Sequence, residues 1–228
     1  MTPIREPHPR GEPAPWRPVD WPVRRTIAVR PLPPAPSTRF SDVMAYRRSE
    51  RCMTPPTLGQ VTDVLRFSSA LRSEWSYQGI VRHNAPPISG GGLHGIDLVI
   101  VPHTKHARLF RYDRAADRLE ALCVAQPEKI VDLLGRSDAC LPSARGMIVG
   151  LVADQLKYQA AYENGESLIW RDSGALLQVI AMSAFAFGFA CCPLGPHGIE
   201  IVEALEADGD RMTACGLVQI GRYAANEV

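Results

Sequence analysis

From Ala175 to Leu194 the chain carries no charged side chain, and this run limits what kind of molecule can form. Its length is about the 20 residues that a bilayer span needs. Gln178, Ser183, Gly188, Cys191, Cys192 and Pro193 interrupt it, so a buried core helix is the better reading. A helix is predicted from Asp172 to Phe187, capped by Asp172 or Ser173, apolar nearly all round and ended by Gly188. At 228 residues, one domain would struggle to cover every side of such a helix, which points to a homodimer.

The rest of the chain reads as a meander of strands with helices grouped around it. Phe40 to Tyr46 is predicted as a short helix capped by Ser41 or Asp42, and Thr57 as the N-cap of a helix with Leu58, Val61, Val64 and Leu65 on one face. Strands are predicted at Ile96 to Val101, around Arg108 to Tyr112, near Leu119 to Cys123, at Met147 to Val152 and at Leu217 to Ile220. Further helices are expected at Pro127 to Leu134, near Asp154 to Tyr162 and at Ile199 to Leu205. Strands in sequence with helices set apart indicate an α+β fold. Residues 1–38 hold eleven of the 20 prolines and show no helical or strand period. They are expected to form an extended arm, laid over a partner subunit through Trp16, Trp21 and residues 26–29. One domain follows, residues 39–228.

Lys+Arg number 25 and Asp+Glu 24, so no global field favours nucleic acid or an anionic membrane. Any anion site must be a local cluster of arginines. The opening MTPIREPHPRGEPAP has no apolar run of the secretory kind, and six cysteines without a CxxC pair read as reduced thiols; a cytoplasmic location is expected. His103 and His106 lack a third ligand, so no metal site is expected.

Four features carry chemistry. Arg47, Arg48, Ser49 and Arg51 would gather fork-shaped donors and a hydroxyl within one turn, suiting a phosphate and a polar ring edge. Ser89, Gly90, Gly91 and Gly92 form a loop whose backbone can approach a flat ligand closely. The Asp172 helix leads into FGFACCPLG, residues 187–195, a predicted loop that could wall an aromatic cofactor. Arg222 follows the last strand.

Taken in order, RRSER, SGGGLHGIDLVIV, LFRYD, LKY, DSGALLQVIAMSAFAFGFACCPLG and IGR resemble the nitroreductase superfamily, and most closely its SagB-type azoline dehydrogenases of thiazole/oxazole peptide maturation. The resemblance spans about residues 40–222. It implies a nitroreductase-like fold with FMN at a dimer interface. Arg47 and Ser49 then match flavin-contacting residues, and Arg51 and Arg222 phosphate ligands, with Arg48 in the same segment. Ser89, Gly90 and Gly91 match the loop beside the ring, and Pro193, Leu194 and Gly195 the backbone near its reactive edge. Lys157 and Tyr158 match a Lys-Tyr pair assigned to proton handling. Ile88 and Gly95 stand where the family usually has proline, and Ala175 where it has histidine.

The resemblance implies an azoline-oxidising FMN enzyme whose substrate is a peptide or small molecule, alongside other maturation enzymes. An NAD(P)H-fed nitro or quinone reductase and a non-catalytic subunit of a maturation complex are the alternatives.

Overall fold

The computed structural model describes residues 5–206 and 211–224. In chain order, the first part holds β1 (His8–Pro9), β2 (Val23–Ala28), α1 (Phe40–Tyr46), β3 (Met53–Thr54), α2 (Leu58–Ser69), and the hairpin of β4 (Glu74–Tyr77) and β5 (Ile80–His83). A single 3-10 turn at Gly90–Gly92 precedes β6 (Ile96–Val101), β7 (Phe110–Asp113), β8 (Arg118–Leu122) and α3 (Pro127–Cys140). The chain continues through β9 (Met147–Asp154), α4 (Gln155–Ala161), β10 (Tyr162–Glu163), α5 (Glu166–Ala186), β11 (Phe189–Leu194), α6 (Ile199–Ala204) and β12 (Met212–Tyr223).

One eight-stranded antiparallel sheet organises these elements, in the order β11-β12-β9-β6-β7-β8-β2, with β3 paired to β12. Strand β9 lies near its centre and reads MIVGLVAD, nearly all apolar, because helices cover both faces. Its alternation sorts the core into two halves. Val149, Leu151 and Ala153 face α2 and α5, packing with Val61, Leu65, Leu168, Leu176 and Ile180. Ile148 and Val152 face α3 and α6, packing with Ile130, Leu133, Ile201 and Val202. The architecture is α+β, as the strand meander predicts. Among the described residues no helix is long and apolar enough to cross a membrane.

Local chemistry sets most boundaries. The α2 N-terminus is closed reciprocally: the Gln60 amide donates to Thr57 Oγ1 (3.2 Å), and the Thr57 amide donates to Gln60 Oε1 (2.9 Å). For α1, the N-cap is Arg39 and neither Ser41 nor Asp42 caps it.

Four expectations need correction. Residues 23–28 form the edge strand β2, although no strand period is visible there. Most of that strand is exposed on both faces, so burial imposes no alternation to read. The arm lies on its own chain: Trp21 is buried in the α3/α6 half of the core, and β1 pairs with β10. Helix α5 starts at Glu166, so Asp172 and Ser173 are interior residues and not caps. Finally, residues 189–194 of the predicted loop form β11. Its proline is tolerated because β11 ends the sheet, and only one of its edges is laddered.

Candidate functional site

The arginine cluster lies along the β11 edge. After α1 the chain leaves the helix at Arg47 in an extended conformation, and the Glu50 amide donates to the Cys191 carbonyl at 3.0 Å. The segment is therefore spread along a strand and not folded into one turn as the sequence reading expects. Arg47 acts electrostatically on Cys191 and Arg51 on Cys192, which puts one guanidinium near each cysteine. Burial pushes the Cys191 thiol up to about 12, so it is a neutral thiol. Arg48 instead reaches Glu50 at 3.5 Å. Arg222 stands in register with Phe189 of β11, and its Nε donates to the Pro55 carbonyl at 3.1 Å. Among the described residues, Arg47, Arg51 and Arg222 have no carboxylate partner. Ser49 is exposed beside them, and β11 ends at Leu194. A Cβ placed on Gly195 would meet nothing within 4 Å. Guanidinium groups without a carboxylate partner, a hydroxyl and open backbone thus lie at or next to this sheet edge.

Ser89, Gly90 and Gly91 belong to a second group. Ser89 Oγ donates to Asp172 Oδ2 (2.5 Å), the Gly90 amide to Asp172 Oδ1 (2.9 Å), and the Tyr158 hydroxyl to Asp172 Oδ2 (2.8 Å). Ser89 Oγ also accepts from the His94 amide at 2.9 Å. The glycines serve the chain's own packing: a Cβ on Gly90 would meet Leu168 at 2.8 Å, and one on Gly91 would meet Arg82 at 2.3 Å. Gly91 also has a φ of 61°, which favours glycine. The expectation that this loop lies bare for a flat ligand is thus revised, because its polar groups are already engaged by Asp172. Among the described residues no hydrogen bond or ion pair joins the loop to the Arg47 edge.

Lys157 and Tyr158 have different polar surroundings. Neighbours on α4 point about 100° apart. Tyr158 is fully buried, and burial followed by the Asp172 carboxylate holds its phenol well above its ordinary range. It cannot serve as a base near neutral pH. Lys157 instead enters a cavity of about 300 Å³, whose walls include Trp16, His83, His94, Asp97 and Asp154. Its ammonium lies 5.2 Å from the Trp16 ring centroid, and the Trp16 indole N–H donates to Asp154 Oδ2 at 2.8 Å. Burial first, then the nearby Arg114, lower the Lys157 pKa to about 8. His94 is lowered to about 4, chiefly by burial, and is neutral.

Sequence reasoning missed Asp172 as the anchor and Trp16 as a wall. An aspartate at the head of an uncharged run was the available signal for the first, since a buried carboxylate needs partners. Nothing in the sequence signals the second, because its partners Asp154 and Lys157 are remote in the chain.

The sheet, its two helical layers and the basic β11 edge define a nitroreductase-like fold. A solved protein designated a nitroreductase from Ralstonia eutropha superposes with a TM-score of 0.57 at 17% identity, over 89% of this chain and 100% of that one. A chain of the E. coli microcin synthetase McbBCD complex, solved with truncated pro-MccB17 bound, gives 0.58 at 13% identity, over 89% and 79%. A protein designated a nitroreductase from Desulfovibrio desulfuricans, solved in complex with FMN, gives 0.50 at 18%, over 82% and 88%. At these identities the likeness is one of fold. No family model matches the sequence, and no curated protein matches it.

Proposed function

We propose that the protein is an FMN-dependent oxidoreductase that works as a homodimer and dehydrogenates an azoline to an azole in a peptide. The observation that carries this reading is the set of guanidinium groups without a carboxylate partner, Arg47, Arg51 and Arg222, with the Ser49 hydroxyl, at or next to the β11 edge. Planar guanidinium groups suit a phosphate, and the open backbone at Gly195 suits a flat ring. Two fold neighbours support it, one solved with FMN and one belonging to a microcin synthetase solved with truncated pro-MccB17 bound. The other partners on this reading are the remaining maturation enzymes.

FMN, when bound, supplies the hydride acceptor. The chain's own task is the proton. Lys157, with its amine lowered to about 8, accepts it in the cavity beneath Trp16. Tyr158 acts through Asp172, fixing the Ser89 loop against α5 and α4.

The purified protein is expected to be yellow and to release FMN on denaturation. Arg47→Ala and Arg222→Ala should each weaken FMN binding roughly ten- to hundred-fold, from lost charge-assisted bonds of about 1.5–3 kcal/mol. Titration of apoprotein by flavin fluorescence measures this. A protein that takes up no FMN overturns the reading, and unchanged affinity in both variants removes the phosphate from this edge.

The dimer is proposed to form across α1. That helix buries only Val43 and exposes Phe40, Met44 and Tyr46 at 68%, 63% and 69%, beside Arg47. Such a stripe is unusual unless covered. Phe40→Glu combined with Met44→Glu should convert dimer to monomer in light scattering and lower FMN occupancy. A wild-type monomer with full flavin at every concentration contradicts the proposal.

A further inference from the structure

Strand β2 ends the large sheet and, among the described residues, pairs only with β8, so its other backbone edge has no strand partner there. Two grooves border β2, each shared with residues of β8 or of the turn before it. One of about 560 Å³ is lined by residues 26–31 without a break. The other, about 590 Å³, includes Arg24 and Arg25 together with Arg108. A register shift between Val23 and Arg25 marks a bulge at Arg24, and bulges of this kind re-aim side chains at sheet edges. The floor of this groove includes Leu109 and Leu122, both buried.

The two grooves differ in charge. Around residues 26–31 the arginines are matched, Arg30 by Asp63, Arg66 by Asp117, and Arg118 by Asp113 and Glu120. Arg24, Arg25 and Arg108 have no ion-pair partner among the described residues. The chain's formal net charge is only +1, so this triple is a local excess. Arginines that merely guard an edge against self-association need neither a groove nor an apolar floor.

We propose that the β2 edge docks an extended peptide, which adds as a strand along residues 26–28 and sets acidic side chains against Arg24, Arg25 and Arg108. Main-chain hydrogen bonds supply affinity in this mode, and the arginines supply the preference for acid. The site is remote in sequence from the proposed flavin edge and does not depend on a redox role.

The test is fluorescence polarisation with the full chain and a fluorescein-labelled Glu-Glu-Glu-Thr-Val-Thr-Val-Thr peptide. Binding should saturate and be lost when each Glu is replaced by Lys. The variant carrying Arg24→Gln, Arg25→Gln and Arg108→Gln should bind roughly tenfold more weakly, the sum expected of three exposed pairs. Two further probes carry N-methyl groups on alternate amides, one set facing each way along the peptide. Strand addition predicts that one set abolishes binding and the other is tolerated. Equal binding by both methylated probes means ionic adsorption alone and overturns the proposal. So does unchanged affinity in the triple variant, or no binding of the parent peptide.

Discussion

Asp172→Ala will destabilise the fold by about 3–5 kcal/mol, the range for removing one partner of a buried polar network. Asp172 is buried inside α5 and accepts from three donors in separate parts of the chain: Ser89 Oγ, the Gly90 amide and the Tyr158 hydroxyl. Tyr158 has no exposure at all, so its hydroxyl cannot turn to solvent when the carboxylate goes. The adjoining cavity, lined by Ser89, His94, Tyr158 and Asp172, is only about 10 Å³, room for a single water at most. Tyr158→Phe removes one donor and leaves the carboxylate two others, so it should cost only about 1.5–3 kcal/mol, the value of one bond to a charged group. Urea unfolding followed by circular dichroism gives both numbers from the midpoint shift at constant slope. An Asp172→Ala protein within about 0.5 kcal/mol of wild type, the scatter of an ordinary surface change, would show that this junction does not hold α4, α5 and the Ser89 loop together.

The elements that the sequence reveals are those that burial writes into it. Val61, Val64 and Leu65 recur at helical spacing because one face of α2 meets the core, and β9 is a continuous apolar run because both its faces are covered. Strand β2 leaves no such trace because it is exposed, and β11 is disguised by Pro193 and small residues that an edge position accepts. The start of α5 is hidden for another reason. Asp172 has the chemistry of a cap, and only the three-dimensional position of Ser89 and Tyr158 shows that its partners lie elsewhere. The candidate site divides in the same way. Residue types at Arg47–Arg51 and Arg222 are those that suit an anion, but that the first segment runs beside β11, with Arg222 in register with Phe189, follows from pairing across the chain. Adjacent residues Lys157 and Tyr158 look like a functional pair in one dimension and part company on a helix.

Lys157→Met will lower turnover of an azoline-containing peptide by about 10²–10⁴, the usual contribution of a positioned acid–base group. The amine must be neutral to take the proton. With its pKa lowered to about 8 by burial and Arg114, wild-type turnover should rise with pH and level off above about 8, and the variant should lose that limb. A second consequence is independent of any substrate. The pKa in the folded protein lies below the ordinary 10.5, so between these values the unfolded chain binds more protons than the folded one. The lysine therefore penalises the fold most fully below pH 8, and the penalty fades as pH rises through 8 towards 10.5. Lys157→Met should raise Tm at pH 7, and its advantage over wild type should shrink at pH 10. Tyr158→Phe, by contrast, should leave the pH limb in place, because a phenol held neutral by burial and Asp172 has no proton to exchange there. Stopped-flow reduction of the bound flavin by the peptide reads turnover directly, and calorimetry across pH reads the stability. Equal reduction rates in wild type and Lys157→Met would remove the lysine from the reaction even if the Tm shift is found. Reduction by NADH or NADPH, but by no azoline, would make the protein a nicotinamide-fed reductase in which the cavity beneath Trp16 has a different occupant.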